Sequence, residues 1–114
     1  MADTLPPDVR LLIGIPTMGS VHAMLAARLA LWCSQYPKQI AGIHFTQKVA
    51  PVDRARNQIV EFFLGKRFGE HGDRGFTHLL MIDADTIPPA DALARLLSHG
   101  QPIVSGLTPI DVAP

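Results

Sequence analysis

Two carboxylates one residue apart, Asp83 and Asp85, end the apolar run in HLLMIDADTIPP, residues 78–89. Side chains i and i+2 of a strand face the same side. With Asp83 at the strand end and Asp85 in the turn, both acids can aim at one point above the rim of a sheet. Carboxylates that close repel each other, and a divalent cation removes the conflict. Mg2+ and Mn2+ prefer oxygen ligands and keep positions open for water and phosphate oxygens. The chemistry that fits is a metal bridging the carboxylates to a diphosphate, as a Lewis acid for a leaving group. A structural role is open to the same residues: Asp85 with Thr86 capping the helix that begins near Pro89, and Asp83 making a turn.

Two further segments belong to the same chemistry. Asp53-Arg54-Ala55-Arg56-Asn57 opens a helical pattern. An arginine at a helix start on a ligand rim fits a phosphate or a nucleotide, although alone such a segment reads equally as a solvated helix turn. Pro16-Thr17-Met18-Gly19-Ser20 follows the first apolar run. It is neither G-x-G-x-x-G nor a Walker A loop, yet a Pro-Thr turn can shape a nucleoside pocket with backbone and hydroxyl groups. The five histidines show no H-x-H or H-x-x-x-H spacing, so each reads as structural rather than as a metal ligand.

The elements that must position these residues alternate. Residues 10–17, RLLIGIPT, predict a buried strand. Ser20 is a candidate N-cap for a helix with Val21, Met24, Leu25, Leu29 and Trp32 at helical spacing, closed by Tyr36-Pro37. QIAGIHFTQ predicts the second strand. KVAPVD is a loop in which Asp53 can cap a helix whose apolar face is Ile59, Val60, Phe63 and Leu64, and Gly65 with GEHGDRG ends it. FTHLLMI is the third strand. PADALARLLSHG is the third helix, with Pro89 in its first turn, Leu93, Leu96 and Leu97 as its stripe and Gly100 as its stop. PIVSGL is a final short strand. The order βαβαβαβ predicts an α/β fold: a Rossmann-like open, mostly parallel sheet with helices on both faces and right-handed crossovers. Ligands of such sheets sit at the carboxyl ends of the strands, near the point where strand order reverses.

The chain has 114 residues, 47% hydrophobic, which suits one small domain with a core. Residues 1–9 read as a flexible leader and residues 10–114 as the domain. Ten basic and ten acidic residues cancel, which argues against nucleic acid or an anionic membrane as the main partner. No apolar run reaches the length of a membrane span, and the polar, proline-rich start is not a signal peptide. The single cysteine, Cys33, reads as a buried small hydrophobe and points to a reducing, cytoplasmic setting.

Taken in order, LLIGIPTMGSV, VDRARNQIVEFFL, THLLMIDADTIPPADALARLL and PIVSGL resemble the nucleotide-binding half of GT-A glycosyltransferases, most nearly family-2-like members. No one motif is specific; the ordered set covers nearly all the chain from Leu11 on. The resemblance implies a glycosyltransferase, or its donor-binding half, that uses a UDP- or GDP-linked sugar. Pro16 and Thr17 would lie against the nucleoside. Arg56, with Arg54 and Asn57 beside it, would reach the base or diphosphate. Asp83 would face the ribose or sugar, and Asp85 would hold Mn2+ or Mg2+, with Asp83 as the other metal-binding acid. Members of the family continue past the fourth strand into the acceptor site and its base. The expected partner is therefore a second copy or another chain that supplies that half. Two alternatives stand beside this reading. One is a non-catalytic domain that binds nucleotides or proteins. The other is a haloacid-dehalogenase-like phosphatase, whose motif needs a threonine four residues after the first acid, where Thr86 is three after Asp83.

Overall fold

Five successive buried residues, LLIGI, make a strand covered on both faces, and β1 (Leu11–Ile15) is the centre of the sheet. The computed structural model describes residues 5–47, 52–67 and 75–100. Along the chain β1 is followed by α1 (Ala23–Gln35), β2 (Ile40–Phe45), α2 (Val52–Arg67), β3 (His78–Met81) and α3 (Ala92–Ser98). The strand order is β2-β1-β3, with both pairings parallel. The expected α/β alternation and parallel sheet are therefore present in these three strands. The anticipated fourth strand lies outside the described residues.

The two faces of β1 explain the layering. Leu11, Ile13 and Ile15 pack with Leu25, Leu29 and Trp32 of α1, with Ile82 beyond β3 and with Leu93 of α3. On the other face Gly14 meets α2 so closely that a Cβ there would overlap Cγ2 of Ile59. Ala55, Ile59 and Phe63, four residues apart, are the buried stripe of α2, the spacing at which helical side chains stack on one face. Glycine at position 14 thus lets a helix lie directly on the sheet.

Several local expectations are corrected. Leu5 and Val9 are buried members of the main core, so residues 5–9 are packed rather than a loose leader. Ser20 does not cap α1: the N-cap is His22, whose Nδ1 accepts from the Met24 amide at 3.0 Å. Met24 itself is exposed. Asp53 lies inside the first turn of α2 rather than ahead of it, and α2 runs through Gly65 to Arg67. Pro89 precedes α3, whose N-cap position is Asp91. Cys33 is exposed, not buried. Tyr36 does close α1, and Gly100, at φ 62°, takes the left-handed conformation after α3 that glycine tolerates best. Among the described residues, no helix is long and apolar enough to cross a membrane.

Candidate functional site at the carboxyl rim of the sheet

From β1 the chain moves to one side to form β2, then crosses back to form β3 on the other side. The strand order therefore reverses between β1 and β3, and the carboxyl ends of these two strands flank the crevice where open α/β sheets hold ligands.

The acid pair stands at this crevice. The Ile82 amide donates to the Gly14 carbonyl at 3.0 Å, which carries the pairing one residue past β3. The chain then turns, with the Thr86 amide donating to the Asp83 carbonyl at 3.0 Å. Asp83 thus opens a turn that contains Asp85, and both residues are exposed. A second bond ties this turn to the neighbouring loop: the His22 amide donates to the Ala84 carbonyl at 2.9 Å. A backbone bond thus holds the residue before α1 against the acid turn. The capping alternative for Asp85 does not describe what is seen, because α3 begins at Ala92 behind Asp91.

Arg56 reaches this turn from α2, with Nη2 donating to Asp83 Oδ1 at 3.1 Å. The two side chains are 45% and 56% exposed, so the pair contributes at most about 1 kcal/mol to stability. Its value is placement, since it sets a guanidinium beside the Asp83 carboxylate. Asp85 has no hydrogen bond or ion pair among the described residues. Among those residues, no three His, Cys, Asp or Glu side chains gather into a metal-holding group. A cation here would rest on the acid pair and complete its shell with water and phosphate oxygens, which is how Mg2+ is usually held.

The other arginine diverges. Arg54 and Arg56 are two positions apart, about 200° around a helix. They flank the buried Ala55 on opposite sides, and only Arg56 meets the acid turn. Asn57 is exposed, on the arc away from the buried stripe.

Pro16 and Thr17 are buried at the end of β1. The Thr17 amide donates to Thr46 Oγ1 at 3.2 Å, and the Thr17 hydroxyl accepts from the Gly19 amide at 2.6 Å. Gly19, at φ 129°, occupies backbone space that L side chains rarely adopt. Thr17 therefore shapes the loop from inside, and Met18, Gly19 and Ser20 form its exposed tip. Two further residues brace the rim: His22, in a structural role as expected of the histidines, and Thr46, which the sequence does not single out. The available signal for Thr46 was a hydroxyl residue directly past the last residue of β2. Thr46→Val should cost about 1–3 kcal/mol, because it leaves the buried Thr17 amide without its acceptor. Chemical denaturation would measure this, and a loss within a few tenths would contradict the assigned bond.

Compared with models of known protein families, with curated proteins and with solved structures, the chain matches none.

Proposed function

We propose that the carboxyl rim of this sheet binds the diphosphate of a nucleotide-sugar, UDP- or GDP-linked, and that the chain is the donor-binding part of a glycosyltransferase. One observation carries the reading. Asp85, a carboxylate with no partner among the described residues, and an Arg56–Asp83 pair share one turn at the strand-order reversal, where a metal–diphosphate complex finds both an anionic ligand and a guanidinium. The resemblance of the four segments to GT-A enzymes supports the same choice.

In this reading Asp85 is the metal ligand. Asp83, fixed at the start of the turn by its pair with Arg56, faces the ribose or sugar. Arg56 exchanges part of its contact with Asp83 for a phosphate oxygen, which a planar guanidinium suits. The loop tip at Met18 and Gly19 borders the nucleoside, and Pro16 and Thr17 hold that tip in place. Arg54 and Asn57, on other arcs of α2, serve the outer part of the donor. A bound Mn2+ or Mg2+ would supply Lewis-acid stabilisation of the departing nucleoside diphosphate. We assign no residue as the base that activates the acceptor hydroxyl.

Paramagnetic broadening by Mn2+ tests the placement. With UDP or GDP present, the amides of residues 83–86 and 17–19 should broaden first. Broadening centred elsewhere, or the same pattern in Asp85→Ala, would contradict it.

A further inference from the structure

The acid turn already holds a cation of its own. Asp83 and Asp85 bring two negative charges to one turn at the carboxyl rim. The Arg56 guanidinium cancels one of them, with Nη2 donating to Asp83 Oδ1 at 3.1 Å. Asp85 is left without a partner among the described residues. We infer that Arg56 is the resident counter-ion of this turn: it hinders a divalent cation from loading alone and gives way when a diphosphate arrives with the metal. The inference rests on the donor reading above and adds an order of assembly to it.

The ion pair is not what places Arg56. Ala55 and Ile59 are buried, and Ile59 lies directly on Gly14 of β1. The core thereby fixes the backbone of residue 56, while its side chain, 45% exposed, can change partner in water. A surface pair of this kind is weak, so Asp83 holds the guanidinium without trapping it.

The order of assembly follows from the charges. A Mn2+ or Mg2+ ion that approaches without nucleotide meets one unpaired carboxylate. It must either displace the guanidinium from Asp83 or sit near its positive charge, and like charges at close range repel. When a diphosphate comes with the ion, the guanidinium gains a new acceptor, because phosphate oxygens match its planar donors. Asp83 is then free for the cation or the sugar. Arg56 thus adds positive coupling between metal and nucleotide beyond their direct contact. Such coupling is reciprocal: each ligand tightens the other by the same factor.

The test is Mn2+ binding without nucleotide, read from the electron paramagnetic resonance signal of the free ion, for wild type, Arg56→Met and Lys38→Met. Methionine keeps an unbranched apolar stem and removes the charge. Lys38 precedes β2, at the opposite end of the sheet, so its variant makes the same change of net charge away from the rim. Arg56→Met should bind Mn2+ about two- to fivefold more tightly than wild type, and Lys38→Met should match wild type. In saturating Mn2+, calorimetry should show Arg56→Met binding the wild type's nucleotide, UDP or GDP, at least about tenfold more weakly. The two effects have opposite signs, whereas a misfolded variant would lose both ligands. Equal or weaker Mn2+ binding by Arg56→Met would overturn the inference. So would equal tightening in Lys38→Met, or no measurable Mn2+ binding by wild type and Arg56→Met alike. A wild type that binds neither nucleotide, while Arg56→Met still gains Mn2+ affinity, would instead overturn the donor reading and leave Arg56 as the counter-ion of a metal site.

Discussion

Trp32→Ala should lower stability by about 3–5 kcal/mol, a large share of the about 5–15 kcal/mol that holds a small domain together. Trp32 is fully buried and sits on the face of α1 shared with Leu25 and Leu29. Its Nε1 also donates to the Ala90 carbonyl at 2.9 Å, which pins the segment after the acid turn against α1. The substitution opens a cavity and releases that segment together. Trp32→Phe separates the two effects: it keeps most of the packing and strands only the Ala90 carbonyl, for about 1 kcal/mol. Urea unfolding followed by circular dichroism is the right probe, because Trp32 is the chain's one tryptophan. A loss below about 1 kcal/mol for the alanine variant would contradict the packing described.

Gly14→Val is the second large effect. The overlap with Ile59 arises at Cβ, before any further atoms are added. Either α2 lifts from the sheet or the strand shifts, and overpacking of this kind costs about 1–3 kcal/mol, occasionally more. The diagnostic is the double mutant. Ile59→Ala alone leaves a cavity, but combined with Gly14→Val it supplies the missing space, so the pair should be markedly less unstable than the sum of its parts. Simple additivity would mean that Gly14 and Ile59 do not meet. A lifted α2 would also carry Arg56 away from Asp83, so Gly14→Val should weaken any ligand held at the rim.

Three strands and three helices that periodicity specified are present among the described residues. LLIGI and the Leu25–Leu29–Trp32 stripe bury the face their spacing predicts, because burial against a neighbour is what the pattern encodes, whereas HLLM forms its strand with its apolar residues only half-buried. Caps were harder to read. Ser20 and His22 both precede α1; His22 is the cap, and its amide also bonds to Ala84, a residue distant in sequence. Leu5 and Val9 escaped notice because two isolated apolar residues among prolines show no period, yet the main core takes them in. Cys33, expected to be buried from its apolar helical neighbourhood, is exposed because position 33 follows Trp32 on α1 and turns away from the core face. At the site, the approach of Arg56 to Asp83 could be anticipated from topology, which brings the start of α2 and the end of β3 to one rim. The divergence of Arg54 was also implicit, because residues two apart on a helix do not share a face. Thr46 depended on the pairing of β2 with β1, which local pattern does not reveal.

The measurement that bears most directly on the donor-site proposal is calorimetric titration of UDP and of GDP into the wild type and Asp85→Ala, with and without Mn2+. The proposal predicts that one nucleotide binds in a metal-dependent manner and that Asp85→Ala abolishes the metal dependence. Asp85 is exposed and has no partner among the described residues, so the variant should unfold at the wild-type denaturant midpoint. A folded wild-type protein that binds neither nucleotide in the presence of Mn2+ would contradict the proposal, and so would binding that the variant retains in full.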